Sequence, residues 1–219
     1  RTLAQWKLMD EFDPPSMVGQ KFGIKAVKVD LPPQDPVRAI LSYEDRHPCD
    51  LMVLATQGRE GIPRFVQGSV AETVARRAAI NALFVAPGAL GFVHPTRGEW
   101  RLKRILAPVD THPDPNHALP VIRALAGLPE TPADIRFLHV GSMPPTFAQK
   151  TGALKQDDVV LRNGSAIDGI LAEAEDWEAD LIAMPTAGHD GMMDALRGST
   201  TERVLRQAPC PVLAIPARG

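Results

Sequence analysis

Cysteine is nearly missing from this chain, and so is any concentration of charge. Only Cys49 and Cys210 occur in 219 residues, with no Cys-x-x-Cys and no metal-type Cys/His spacing, which argues against a disulfide scaffold or a structural zinc module. Each precedes an apolar run and reads as a buried, reduced thiol. Lys and Arg total 24 against 26 Asp and Glu, for a net charge of -2 and a pI near 6.3. No basic run exists, so the footprint needed for nucleic acid or an anionic membrane surface is missing. Aromatics are sparse, and Trp6, Trp100 and Trp177 are too scattered for a base-stacking platform; they read as packing anchors. No stretch approaches the roughly 20 apolar residues of a membrane span. Residues 1–10 carry neither a signal peptide nor a lipidation pattern, which predicts a cytoplasmic protein. Two catalytic signatures are also missing: the Gly-x-x-x-x-Gly-Lys-Ser/Thr phosphate loop and the Gly-x-Ser-x-Gly nucleophile elbow.

What is present is a duplication. Shifted by 130 residues, the segment from Asp50 to Gly58 falls without a gap on Asp180 to Gly188. The register continues through Gly61 and Gly191, Gly68-Ser69 and Gly198-Ser199, Glu72 and Glu202, Val74 and Val204, Arg76 and Arg206, and Leu83 and Leu213. The period is far too long for a solenoid repeat, so each copy reads as a domain. The 44% apolar content suits two modest cores.

Each copy predicts the same order. An amphipathic helix (36–46; 166–177) leads into a short apolar strand (51–55; 181–184), then a Gly-rich loop. A second helix follows, with Ser69 or Ser199 as N-cap and Glu72 or Glu202 completing a capping box, and then a further strand (82–86; 212–215). The second copy adds an opening strand (104–110), a helix (117–126) and a strand (135–140). Strands alternating with helices predict doubly wound parallel α/β sheets. The opening strand of the first copy would fall before Arg1, so the sequence enters that copy part-way, around a helical 1–9; either residues precede it or the copy is shortened. Residues 88–100, rich in Gly and Pro, read as a linker between domains at 1–87 and 101–219.

Pro108-Val109-Asp110, His139-Val140, the Ala179–Met184 strand, Gly-x-x-Gly leading to Gly-Ser, and Ala208-Pro209-Cys210-Pro211-Val212-Leu213 together resemble the universal stress protein family. The resemblance implies two tandem Rossmann-like domains of the adenine nucleotide alpha hydrolase type, with five parallel strands per unit. It also implies pairing of units through their last strands into an internal pseudo-dimer, 83–85 facing 213–215; association of two such chains into a homodimer is left open. Family members that bind ATP or AMP hold it at the carboxyl ends of the strands, against the Gly-rich loop and helix start. Carried over by position, the site is Asp110, Val140, Gly188, Gly191, Gly198 and Ser199 in the second unit, and Gly58, Gly61, Gly68 and Ser69 in the first.

This sequence departs from the pattern in several places. The loops 62–67 and 192–197 are shorter than those of family members that hold ATP. Pro185 removes a backbone donor after the strand, and Glu60 and Asp190 bring negative charge to the loops. The functional expectation is a non-catalytic stress-response sensor or scaffold, with an adenine nucleotide as ligand and a protein partner that the sequence does not name. Its alternatives are a slow nucleotide hydrolase or autophosphorylating protein, with Ser199 or Thr200 as acceptor, and a ligand-free interaction module. Asp110, His112, Asp114 and His117 crowd one loop in the manner of metal ligands, but Pro113 and Pro115 between them favour an irregular, solvated turn.

Overall fold

The structure is a computed structural model that describes residues 4, 6–10, 12–14, 17–25, 27–32, 34–55, 70–86, 88–89, 91–94, 96–147, 152–187 and 200–217. Its elements are α1 (Met17–Phe22), α2 (Pro36–Arg46), β1 (Leu51–Ala55), α3 (Val70–Ala78), β2 (Asn81–Val85), β3 (Arg104–Pro108), α4 (Leu119–Ala126), β4 (Asp134–Val140), β5 (Val159–Arg162), α5 (Ala166–Asp176), β6 (Leu181–Thr186), α6 (Thr200–Gln207) and β7 (Val212–Pro216). Short 3-10 turns, Pro115–His117 and Gln156–Asp158, precede α4 and β5.

The described strands form one seven-stranded sheet in the order β1-β2-β7-β6-β3-β4-β5. Every neighbouring pair is parallel except β2 with β7, which is antiparallel with Leu83 opposite Leu213. That reversal joins the five parallel strands of the second copy to the two of the first through the last strand of each, the pairing that the family resemblance implies. The repeat is equally plain in the elements, because α2, β1, α3 and β2 recur at the same offset as α5, β6, α6 and β7.

Period-two alternation builds a core on each face. Leu106, Leu138, Ile182, Met184, Val212 and Phe84 pack on one side with Ala75 of α3, Ile170 and Ala174 of α5, and Val204 and Leu205 of α6. Ile105, Ala107, Leu181, Ala183, Leu213 and Ile215 pack on the other side with Ile122 and Ala126 of α4. All five residues of β7 are buried, as expected for a strand covered on both faces. β1 differs, since its alternate residues Leu51, Val53 and Ala55 are exposed.

Side chains fix the element starts. The Asp35 carboxylate accepts from the Arg38 amide at 3.0 Å, and Pro36 occupies the first turn of α2, where its missing N–H costs nothing. Asp180 holds the start of β3, its Oδ2 accepting from the amides of Lys103 at 2.8 Å and Arg104 at 3.0 Å. Glu173 is buried between two arginines, Arg136 at 2.6 Å and Arg162 at 3.1 Å, which tie α5 to β4 and β5. Arg136 also lies over the Trp177 ring at 4.3 Å.

Several expectations are corrected. Residues 6–9, expected in a helix, form turn and bend with Lys7 at φ 59°, and the expected helix 117–126 divides into a 3-10 turn and α4, with Pro120 in the first turn of α4. α1 and β5 were not anticipated. Cys210 is buried, but Cys49 is exposed at the foot of β1; both thiols are free. Trp100 is 44% exposed rather than a packed anchor.

Candidate functional site

A cleft of about 230 Å³ opens at the carboxyl ends of β3, β4 and β6, the position where open parallel sheets receive ligands. From β3 and the turn after it come Pro108, Val109, Asp110, His112 and Pro113. β4 contributes Leu138, His139 and Val140, and β6 with the following residue contributes Met184, Pro185, Thr186 and Ala187. Two helices begin at its rim, α5 with Ala166 and Ile170 and α6 with Thr200 and Thr201.

Asp110 and Val140 are thus brought to one cleft from different strands. Asp110 is exposed, and its Oδ1 accepts from the Thr111 amide at 2.7 Å, so the carboxylate is aimed by its own turn. Val140 closes the opposite wall, where α5 approaches so tightly that a Cβ on Gly169 would lie 2.8 Å from both Val140 methyls. The first turn of α5 is left open, because Ser165 makes no side-chain capping hydrogen bond.

His139 was not singled out for a site role, yet it is the most deeply set polar side chain of the strand ends. It is 8% exposed, its Nδ1–H donates to the Val109 carbonyl at 3.0 Å, and the same nitrogen lies 3.7 Å from Asp110 Oδ1. It therefore braces the corner that presents Asp110. Gly141 makes room for the ring, since a Cβ there would come within 2.4 Å of His139 Nε2. The sequence signal was the break in the apolar run of β4, a histidine next to the predicted Val140.

Pro185 lines the cleft at the place where the sequence shows a lost backbone donor. The remaining predicted residues, Gly58, Gly61, Gly68, Ser69, Gly188, Gly191, Gly198 and Ser199, lie outside the described residues, as do Glu60 and Asp190. Glu202, expected to complete a capping box with Ser199, is buried and pairs with Arg206 one turn on.

Two members of the acidic and histidine cluster after β3, Asp114 and His117, are engaged within the fold. The Asp114 carboxylate accepts from the backbone and side chain of Asn116 at 3.0 and 2.7 Å. His117 lies between two carbonyls, Asp114 at 2.6 Å and Ile215 at 2.9 Å, tying this loop to the end of β7. Among the described residues no group of three or more His, Cys, Asp or Glu side chains is arranged to hold a metal ion.

The model of the Universal stress protein family matches residues 9–86 and 148–216, about two-thirds of the chain, and the chain belongs to that family. It is 37% identical over 60 residues to a universal stress protein of Thermus aquaticus, covering 27% of this chain and 44% of that one. It is 44% identical over 52 residues to one of Methanocaldococcus jannaschii, covering 24% and 31%. The matched stretches thus span less than half of either relative. The crystal structure of a universal stress protein from Archaeoglobus fulgidus superposes with a TM-score of 0.65 at 24% identity, over 92% of this chain and 74% of that one, which shows the same fold. No helix among the described residues is long and apolar enough to cross a membrane.

Proposed function

We propose that this chain is a non-catalytic stress-response sensor or scaffold, whose second unit takes an adenine nucleotide such as ATP or AMP in the cleft at Asp110. The observation that carries this reading is the convergence of Asp110 with the starts of α5 and α6 on one cleft. A carboxylate suits the donors of adenine or ribose. The start of α5, where Ser165 makes no side-chain capping bond, supplies the partial positive charge and amides that favour a phosphate.

The test is to unfold freshly purified protein mildly, identify any co-released small molecule by mass, and titrate ATP, ADP and AMP by calorimetry against the parent chain and Asp110→Ala. Nucleotide release or saturable heat that Asp110→Ala abolishes is the expected result. No heat at millimolar nucleotide would overturn the nucleotide reading, and steady release of ADP from ATP would overturn the non-catalytic one.

A further inference from the structure

A second cleft, of about 400 Å³, lies at the amino ends of β3, β6 and β7, the pole of the sheet opposite the Asp110 cleft. Lys103 enters it from the start of β3, Asp180 from the start of β6 and Cys210 from the start of β7. The segment between the two copies supplies the rest of the wall, and it is a hydrogen-bonded turn rather than a bare linker. Val93 and Trp100 bridge in antiparallel fashion, the Arg101 amide donates to the Phe92 carbonyl at 2.7 Å, and the His94 amide donates to the Glu99 carbonyl at 2.8 Å.

The polar groups of this cleft are unevenly spent. Glu99 Oε2 lies 3.1 Å from Arg97 Nε, so that acid already has its cation. Asp180 Oδ2 accepts from the amides of Lys103 at 2.8 Å and Arg104 at 3.0 Å. His94 Nδ1 accepts from the amides of Thr96 at 3.3 Å and Arg97 at 3.2 Å, which puts the ring proton on Nε2 and makes that nitrogen a donor. Neither this Nε2 nor the side chains of Arg101 and Lys103 have a partner among the described residues. Left over in the cleft are two positive charges and one N–H, beside the half-exposed ring of Trp100.

We propose that this second cleft binds a small organic oxyanion, a phosphate ester or a polycarboxylate, held by Arg101, Lys103 and the Nε2–H of His94, with its carbon frame against Trp100. The forked guanidinium of Arg101 can meet two oxygens at once, and Lys103 adds a compact charge. No residue is shared with the Asp110 cleft, so this site does not depend on the nucleotide reading.

The test titrates the whole 219-residue protein with pyrophosphate as the phosphoryl probe and citrate as the carboxylate probe, followed by calorimetry and backbone NMR. The expected result is saturable one-to-one binding of at least one probe, which shifts the amides of residues 91–94, 96–103 and 179–180 and weakens as NaCl is raised. The tighter probe identifies the ligand as phosphoryl or carboxylate. Arg101→Gln should weaken binding at least about tenfold, as loss of a charged hydrogen bond implies, and Lys103→Gln should weaken it less. His94→Asn keeps an acceptor for the Thr96 and Arg97 amides but removes the Nε2–H, so it should weaken binding while the melting curve matches the parent. Lys155→Gln, at an exposed lysine outside the cleft, should leave affinity unchanged. The proposal is overturned by absence of saturable heat with either probe at millimolar concentration. It is overturned equally by the same loss for Lys155→Gln as for Lys103→Gln, which would show general attraction to positive charge, or by shifts confined to residues 109–112 and 140, which would put the anion in the other cleft.

Discussion

Leu83 and Leu213 face each other across the antiparallel junction of β2 and β7, and each is the other's counterpart in the repeat. A residue paired with its own counterpart marks a local two-fold axis, so the junction has the geometry of a symmetric dimer interface inside one chain. Both side chains are buried in the same core. Leu213→Ala should lower stability by about 2–4 kcal/mol in urea unfolding, and Leu83→Ala by somewhat less because that position is less enclosed. The double variant should lose less than the sum, since the two share one contact; strict additivity would show that the junction does not pack as described.

Gly169 should be intolerant of the smallest enlargement. Alanine ordinarily favours a helix over glycine by about 1 kcal/mol, yet here its Cβ would meet the Val140 methyls at 2.8 Å. Gly169→Ala is therefore expected to lower the melting temperature, and Val140→Ala in the same chain to restore part of the loss. A rise in melting temperature for the single variant would contradict the close approach of α5 to β4.

The two thiols should behave differently. Burial, reinforced by the Asp180 carboxylate and opposed by the Ile182 backbone, pushes Cys210 up to about 12, while Cys49 is exposed. A disulfide reagent near pH 8 should titrate one thiol in the folded protein and two after denaturation. Because the Cys210 pKa is higher folded than unfolded, its contribution is complete below pH 9 and declines between pH 9 and about 12, by about 1.4 kcal/mol per pH unit. Cys210→Ala should flatten that alkaline loss relative to the parent.

Ion pairs should divide by burial. Arg136→Ala strips the buried Glu173 of one of its two cationic partners and uncovers Trp177, with an expected cost of about 1–3 kcal/mol that changes little with salt. Arg97→Ala breaks an exposed pair with Glu99 and should cost between about 0 and 1 kcal/mol. Equal effects in chemical denaturation would refute this ranking.

Most of the frame was legible because a duplication lets each copy check the other. The α2 and β1 boundaries follow from apolar patterns repeated at one offset, whereas the Leu83–Leu213 pairing follows from the family resemblance. β5 was missed because Val159–Arg162 is a short edge strand with two exposed residues, too brief to show a period. Cys49 was misjudged because an apolar strand next to it implied burial, whereas β1 is covered on one face alone. At the cleft, Asp110 and Val140 were found through the family pattern. His139 was overlooked because its role, bracing the Val109 carbonyl, is set by a contact 30 residues away that no local pattern encodes.

The β2–β7 junction has one more consequence. Two separate chains meeting at such a surface would associate according to their concentration, and dilution would part them. Here residues 86–103 tether the halves, so the junction experiences an effective local concentration in the millimolar range however dilute the cell makes the protein. The obligation to be identical is also lifted. A substitution in a self-associating chain appears on both sides of its axis, whereas in this chain one half can vary while the other keeps the Asp110 cleft.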